Sequence, residues 1–173
     1  MKYADGLTYE RAHQLLEYNQ ETGDLVWKKR GVQPFDWASA GKIAGFVDEK
    51  AAGRKCVRID KKLYLAHRII WLMVTGSWPS MDIDHKNGNA GDNRFDNLRL
   101  ATVTENNRNT GVSKNNTTGF KGVHFYKAGQ KYQAHITVNR KRIHLGYYET
   151  AEEAHAAYCK AAADMYGDFS RVA

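Results

Sequence analysis

One short motif constrains the fold of this chain more than any other feature. It consists of the adjacent residues Asp84 and His85, followed by two asparagines at set distances. Asn97 follows His85 by twelve residues, and Asn106 follows Asn97 by nine. Glycine, asparagine and aspartate dominate positions 88–92, and these residue types favour a turn. The spacing therefore predicts an extended segment that ends near His85 and a loop directly after it.

A helix is predicted to follow this loop. Thr102 and Glu105 form a capping box, which predicts a helix that begins at Val103. Asn106 then lies in the first helical turn and can face back towards Asp84. Such an arrangement brings one carboxylate and one amide oxygen together.

The residue types at these positions suit a reaction on a phosphate ester. Asp84 and Asn106 offer oxygen ligands to a hard cation such as Mg²⁺, which is commonly held by few protein groups. The neutral imidazole of His85 can take a proton from water near pH 7. Its other ring nitrogen then needs a partner, which a backbone carbonyl or the Asn97 amide could supply. The alternative is that these are ordinary turn residues and a structural histidine.

Several further residues match one family pattern. They are His67-Arg68, Asp84-His85, Asn87-Gly88, Asp92-Asn93-Arg94, Asn97-Leu98 and Asn106. On these residues, the segment 66–109 resembles the HNH, or ββα-metal, nucleases in the branch common in phage homing endonucleases. The resemblance implies that Asp84 and Asn106 bind the metal, that His85 is the general base, and that Asn97 orders the loop and the histidine. Asparagine at position 106, where the founding motif has histidine, argues for Mg²⁺ or Mn²⁺ rather than zinc.

His67 is interpreted differently from the other motif residues. It lies in an apolar helical run at positions 66–74. We expect it to be a buried, hydrogen-bonded core histidine rather than a catalytic residue.

Three short strands and a helix are predicted after position 119. The strands are expected at residues 123–126, 132–138 and 142–147, in an antiparallel meander. Thr150 and Glu153 form a second capping box, which predicts a helix to about Tyr166 with Gly167 as its stop. Because one helix can cover only one face of such a sheet, the other face is expected to be open.

The open face is predicted to contact DNA, since an antiparallel sheet of this size can enter the major groove. The stretch is similar to the APETALA/ethylene-response DNA-binding domain at Lys121-Gly122-Val123, Tyr132-x-Ala134-x-Ile136, Leu145-Gly146-x-Tyr148-x-Thr150 and Glu153-Ala154-x-x-Ala157-Tyr158. The expected DNA-binding residues are Arg108, Lys114, Lys121, His124, Tyr126, Lys131, His135, Thr137, Arg140, Arg142 and His144. The alternative is a charged face that is merely solvated.

The distribution of charge favours a polyanionic partner over that alternative. Residues 99–146 contain nine Lys or Arg residues and one acidic residue, whereas the whole chain has a net charge of +7. Positive charge is therefore concentrated where the two motifs meet, as in proteins that bind nucleic acid.

The first 65 residues are less informative. A helix is expected at residues 8–18, a strand at 24–28 and a hairpin at 55–66. The phrase Tyr18-Asn19-x-Glu21-Thr22-Gly23-x-Leu25-x-Trp27 is similar to the opening of many phage HNH proteins. This region either supports the nuclease core or contacts DNA through Lys28, Lys29, Arg30, Arg54 and Lys55.

The 173 residues are predicted to form an α+β chain. A small N-terminal α/β extension (1–65) precedes a ββα-metal nuclease core (66–110), a basic linker (111–118) and an APETALA-type domain (119–173), in which a three-stranded antiparallel sheet packs on one helix. No apolar run is long enough to cross a membrane, and the N-terminus has no signal-peptide core. We therefore expect a cytoplasmic protein without a membrane partner.

These features together predict a metal-dependent endonuclease that binds double-stranded DNA and uses Mg²⁺ or Mn²⁺. With one active site per chain it is expected to nick one strand, with a preference for certain sites, if it acts as a monomer, the oligomeric state favoured here. A double-strand break would need two chains or two sequential events. Two alternatives stay open. One is a DNA-binding regulator with a catalytically silent nuclease core, and the other is an RNA-binding or packaging protein that binds through charge alone.

Overall fold

The computed structural model describes residues 5–29, 40–113 and 115–171. Its chain forms two compact units, Met1–Thr102 and Val103–Ala173. Within the described residues the architecture is mixed α/β, with several small antiparallel sheets and four α-helices. No helix in these described ranges is long and apolar enough to cross a membrane.

The first unit opens with a short helix and a hairpin. Helix α1 (Tyr9–Leu15) begins where the Thr8 hydroxyl accepts a hydrogen bond from the Arg11 amide at 3.1 Å. Strand β1 (Leu16–Asn19) then pairs antiparallel with β2 (Asp24–Trp27). The prediction of a helix through position 18 was therefore wrong at its C-terminal end, because pairing with β2 overrides the helical pattern.

A second sheet and a helix follow. Strands β3 (Phe46–Asp48), β4 (Arg54–Ile59) and β5 (Lys62–Leu65) form an antiparallel sheet in that order. The expected hairpin of β4 and β5 is confirmed, with Asp60 and Lys61 in left-handed conformations at its turn. Helix α2 (Ala66–Thr75) starts directly after β5.

A third hairpin carries the Asp-His pair. Strand β6 (Asp82–His85) pairs antiparallel with β7 (Leu98–Ala101), in the register Asp84 to Arg99 and His85 to Leu98. A single turn of 3₁₀-helix, Phe95–Asn97, leads into β7. The loop between the strands is rich in asparagine and glycine, as expected.

The larger hydrophobic core of the first unit joins α1, β1, β2, β4, β5, α2, β6 and β7. Leu15 and Leu16 of the N-terminal region share it with Ile69 of α2, Ile83 of β6 and Leu98 of β7. Burial of each such side chain stabilises the fold by about 1.5–3 kcal/mol. The N-terminal residues therefore pack as part of the body that holds the β6–β7 hairpin.

The second unit contains the predicted meander and C-terminal helix, together with a short helix that was expected in the nuclease core. Helix α3 (Val103–Arg108) begins at the expected residue. Strands β8 (Val123–Tyr126), β9 (Lys131–Val138) and β10 (Lys141–Tyr148) form a meander, and helix α4 (Ala151–Tyr166) packs against it. The capping box of Thr150 and Glu153 has both of its hydrogen bonds, and Gly167 ends the helix.

Small residues let α4 approach the sheet closely. Ala154 and Ala162 are fully buried beneath it, beside Val123 and Ile136. Gly122 has a φ of +76°, and a Cβ atom there would lie 2.1 Å from the ring of Tyr158. The sheet is therefore covered tightly on the face towards α4.

Candidate active site

The β6–β7 hairpin places Asp84 and His85 in the interior of the first unit. Their exposed fractions are 4% and 5%. Burial of two ionisable side chains next to each other is costly unless each has a partner. Their partners therefore define the site.

Asp84 is paired with an arginine on the neighbouring strand. The Arg99 Nε donates to Asp84 Oδ2 at 2.8 Å, and Arg99 Nη2 lies 2.7 Å from the same oxygen. Both side chains are largely buried, so removal of Arg99 would leave a buried charge at a cost of about 3–5 kcal/mol. A carboxylate oxygen has more than one acceptor position. The ion pair is therefore compatible with a metal ligand role for Asp84.

His85 is held by the amide of Asn93, a residue that matches the family pattern but was given no role from the sequence. Its Nε2 lies 2.9 Å from Oδ1 of Asn93, a residue with no exposed surface. Since an amide oxygen only accepts, Nε2 carries the proton and the lone pair lies on Nδ1. Burial lowers the pKa of His85 below its usual value, although the Asn93 contact opposes this. The imidazole is therefore neutral at pH 7 and able to accept a proton.

Asn97 ties the loop together. Its Oδ1 accepts a hydrogen bond from the backbone amide of Asn87 at 3.0 Å. Its Nδ2 donates to the side-chain Oδ1 of Asn87 and to the backbone carbonyl of Asp92. These hydrogen bonds join the two ends of the loop. The histidine is held by Asn93 instead of Asn97, because the 3₁₀ turn aims the Asn97 side chain into the loop.

The N-terminal hairpin supports the segment that carries Asn93. The Tyr18 hydroxyl donates to the Asn93 carbonyl at 3.1 Å and accepts from the Phe95 amide at 2.8 Å. Gly23 lies so close that an added Cβ would be 2.5 Å from the Arg94 nitrogen. The position of Asn93 therefore depends on residues about 70 positions earlier in the chain.

Asp92 is also fixed within the loop. Arg94 donates to both of its oxygens, at 2.8 and 2.6 Å, and Asn87 donates at 2.8 Å. These bonds hold the pKa of the Asp92 carboxyl well below its usual range. Asp92 therefore stays ionised and serves to shape the loop.

The side chains in the described ranges offer an incomplete metal cage. These ranges contain no group of three or more His, Cys, Asp or Glu residues that could hold a metal ion. Asp84 contributes one carboxylate, and amide ligands are needed beside it. Asn106, the second expected ligand, lies in α3 of the second unit, and its role stays a prediction. One carboxylate with neutral oxygen donors is a set that suits Mg²⁺.

The open face of the second unit gathers most of the expected DNA-binding residues. Because side chains alternate along a strand, those opposite the buried Val123, Ala134 and Ile136 share this face. The residues on this open face are His124, Tyr126, Lys131, His135, Thr137, Arg142 and His144, together with Gln133 and Tyr147, which the sequence reasoning missed.

Rings pack against each other across this open face. His124 and His135 have centroids 4.2 Å apart, and those of Tyr126 and Tyr147 are 5.3 Å apart. Arg142 contacts the ring of His124. Burial lowers the pKa of His135 to about 4, so this histidine is neutral at pH 7. The face thus combines aromatic rings, hydrogen-bonding groups and few fixed charges.

Three further expected DNA-binding residues lie elsewhere in the described part of the second unit. The Lys121 ammonium donates to the carbonyls of Arg108, Thr110 and Arg171 within the second unit. The groove-facing position predicted for Lys121 was therefore wrong. The Arg108 guanidinium lies 4.7 Å from the centroid of the Tyr166 ring. Arg140 is exposed in the β9–β10 turn. Lys114 lies outside the described residues, as does Arg30 of the N-terminal region.

Comparisons with known proteins agree with the position of the site. Residues 64–108 match the family model described as HNH endonuclease. The chain is 30% identical over 115 residues to Protein 3.8 of Escherichia phage T7, an alignment that covers 64% of this chain and 94% of that protein. No solved structure matches the chain significantly. The chain therefore belongs to the same family as Protein 3.8 of phage T7, and its residues 64–108 form an HNH endonuclease family domain.

Proposed function

We propose that this protein is a metal-dependent endonuclease that cuts DNA through His85. The observation that carries the proposal is the state of that histidine. It is buried, neutral, and bonded through Nε2 to a neutral amide, immediately beside a buried carboxylate. This is the state that a general base needs at neutral pH.

The proposed reaction uses the two motif residues for different tasks. Nδ1 of His85 takes a proton from water, which then attacks the scissile phosphorus. Asp84 would hold a divalent cation, Mg²⁺ or Mn²⁺, and Asn106 is the proposed second ligand. When bound, such a cation neutralises the phosphate and stabilises the leaving 3′ oxygen. Asn93 keeps the proton on Nε2 throughout the approach of water.

The open face of the second unit is the proposed means of attachment to duplex DNA. Its exposed cations contact phosphates, which gives affinity without sequence choice. Its ring and amide side chains offer groups that can contact base edges. This assignment is supported by the shared face of the residues and by the resemblance of the meander to the APETALA-type domain.

Plasmid cleavage tests the proposal directly. Supercoiled plasmid would be incubated with the protein in Mg²⁺, in Mn²⁺ and in EDTA. We expect metal-dependent conversion to open circles, and loss of at least 100-fold in rate in His85→Ala, since general bases contribute about 10²–10⁴-fold. His13→Ala is the matched control, because His13 is a half-buried histidine of the same unit whose ring contacts the Met73 carbonyl and packs against Tyr9.

The possible outcomes separate the candidate functions. Open circles indicate nicking by a single site, and direct linear product indicates that two chains act together. Equal activity of the wild type and His85→Ala would refute the role of His85. Tight plasmid binding without cleavage in either metal would favour the DNA-binding regulator with a silent core.

A further inference from the structure

The side chain of Lys121 is bound within the second unit by three backbone carbonyls. Its Nζ donates to the carbonyls of Arg108 and Thr110, each at 2.6 Å, and to that of Arg171 at 3.0 Å. A lysine ammonium has three N–H donors and no acceptor. The number of donors therefore equals the number of carbonyl acceptors, and the ammonium is satisfied inside the unit.

One of these carbonyls belongs to the end of α3. Arg108 is the last residue of that helix, and the last carbonyls of an α-helix have no partner within the helix. A cation at this end also complements the partial negative charge of the helix. Lys121 lies thirteen residues further along the chain, so the group that binds the end of α3 comes from the segment just before β8.

A contact from outside the helix matters because α3 is short and exposed. It has six residues, and none of them is buried. Isolated helices shorter than about 12–15 residues are marginal in water. The order of α3 therefore depends on its contacts with the rest of the chain.

The side chain of Arg108 makes a further contact with the body of the second unit. Its guanidinium lies 4.7 Å from the ring centroid of Tyr166, the last residue of α4. The Tyr166 hydroxyl donates to the Thr137 carbonyl of β9 at 2.6 Å. The end of α3 is therefore linked to the segment before β8 and also to the strand that presents the open face.

We propose that Lys121 is a positioning residue of the nuclease, which holds the end of α3 against the meander and so fixes the helix that carries Asn106. This inference rests on the proposed function, in which Asn106 is the second ligand of the cation. Asn106 precedes Arg108 by two residues, within one helical turn of the bound carbonyl. Movement of that carbonyl would therefore move the amide of Asn106.

The surroundings of Lys121 fit this role better than contact with DNA. The side chain is half-buried, and burial, with a smaller contribution from Arg171, lowers its pKa. A lysine that binds phosphate must turn its donors towards the DNA, and here the carbonyls of the unit take them. The two roles make opposite predictions about metal binding and about DNA binding.

Three variants of the full-length protein separate these roles. Lys121→Met keeps an unbranched side chain and removes the three donors. Lys121→Arg keeps the charge, but its planar fork does not direct three donors from one atom. Lys160→Met is the matched control, because Lys160 is an exposed lysine of α4 and its loss changes the net charge by the same amount.

Hydrogen exchange in EDTA measures the order of α3 without metal or cleavage. The Asn109 amide reports on it, since that amide donates to the Glu105 carbonyl of α3 at 3.2 Å. Exchange at Asn109 should become roughly tenfold faster or more in Lys121→Met, because local opening sets the exchange rate. Lys160→Met should exchange at the rate of the wild type.

Binding to duplex DNA in EDTA tests the competing role. The slope of log K against log salt should be the same in Lys121→Met and in the wild type. A lysine that contacts one phosphate would instead lower the slope by about 0.9 when it is replaced.

The Mg²⁺ concentration for half-maximal plasmid nicking tests the consequence for the metal. It should rise about 10- to 100-fold in Lys121→Met, the usual effect of removing a group that orients a ligand. Lys121→Arg should change it in the same direction, and Lys160→Met should leave it unchanged. KM for plasmid DNA at saturating Mg²⁺ should stay the same in all three variants.

Failure of the inference can be told apart from failure of the proposed function. A wild type that does not nick DNA in any metal would overturn the proposed function. The exchange and DNA-binding measurements in EDTA would still decide whether Lys121 holds α3.

Two results would overturn the inference itself. One is unchanged exchange at Asn109 in Lys121→Met, and a reduced salt slope would then assign Lys121 to phosphate. The other is faster exchange with an unchanged Mg²⁺ requirement, since α3 would be loosened without effect on the metal. If Lys121→Met fails to fold, Lys121→Arg decides, because a phosphate contact accepts either cation and only the proposed role predicts a raised Mg²⁺ requirement.

Discussion

Two asparagines of the β6–β7 loop order the site in different ways. Asn93 bonds the ring of His85, whereas Asn97 joins the two ends of the loop through Asn87 and Asp92. An amide can donate and accept, yet it adds no charge beside the base. These two asparagines thus hold the ring and the loop without adding a charge of their own beside His85.

Substitutions at Asn93 test this point through pH dependence. Asn93→Asp places a carboxylate at Nε2, which favours the charged imidazole and raises the pKa of His85. Because the base must be neutral, activity should then be lost at a higher pH than in the wild type. Asn93→Leu removes the bond without adding charge, so kcat should fall about 10- to 100-fold with no upward shift of the acid limb. The measurement is kcat against pH for three proteins.

Identical pH profiles in the two Asn93 variants would contradict this account. Circular dichroism at each pH would separate loss of activity from unfolding. The prediction concerns the pH at which activity is lost on acidification. An equal loss of activity at every pH in both variants would therefore not confirm it.

At the residue scale, the sequence singled out Asp84 and His85 but not Arg99 and Asn93, the partners that the structure gives them. The pair is adjacent in the chain, so one motif reveals both. Arg99 meets Asp84 only through the register of β6 and β7, and Asn93 meets His85 only through the path of the loop. Such contacts depend on strand register and loop geometry, which local patterns do not specify.

At the scale of elements, the β1–β2 hairpin is a support for the active-site loop. Tyr18 bonds the backbone at Asn93 and Phe95, and Gly23 packs on the same segment. This favours the scaffold interpretation of the N-terminal region. It also gives a physical reason for the presence of the segment from Tyr18 to Gly23 in the same chain as the Asp-His pair.

Two glycines of the first unit give a matched test of that support. Gly23 and Gly53 both have positive φ angles, +76° and +75°. Gly53→Ala meets no atom within 4 Å and should cost only the strain of the left-handed conformation, about 1–2 kcal/mol. Gly23→Ala must also displace the backbone of Asn93 and Arg94. We expect it to reduce cleavage at least tenfold, since misplacement of about 1 Å can cost 100-fold, whereas Gly53→Ala keeps full kcat.

The comparison requires both stability and activity. Chemical denaturation would give the free energy of unfolding, and plasmid nicking at saturating DNA would give kcat. Equal activity of the two variants would show that the hairpin does not control the position of Asn93.

Elements with strong local signals were predicted most accurately. The capping box at Thr150 and the glycine at 167 set both ends of α4. Helix α1 was predicted too long, because Leu16 and Tyr18 fit a helical face as well as a strand. Only pairing with β2, a tertiary contact, decides between the two.

At the scale of the whole molecule, each unit has its own hydrophobic core. The first unit holds the Asp-His pair, and the second presents an open sheet face. The sequence predicted two folded parts and the meander, but it assigned residues 1–65 to a separate extension. Apolar side chains of this segment lie in the core of the first unit. They pack there against apolar residues that are distant in the sequence. Hydrophobic patterning shows which residues are buried, but not which ones pack together.

The open face makes a quantitative prediction about binding of the whole protein to duplex DNA. Arg142 is exposed on this face, whereas Lys160 is exposed on α4, on the opposite side of the sheet. In the His85→Ala background, Arg142→Gln should weaken binding and reduce the slope of log K against log salt by about 0.9, the value for one lost phosphate contact. Lys160→Gln removes the same charge and should leave the slope unchanged. Fluorescence anisotropy from 50 to 200 mM salt would measure both. Equal effects of the two variants would mean that DNA binding depends on net charge alone. That result would contradict the proposal that the open face is the recognition surface.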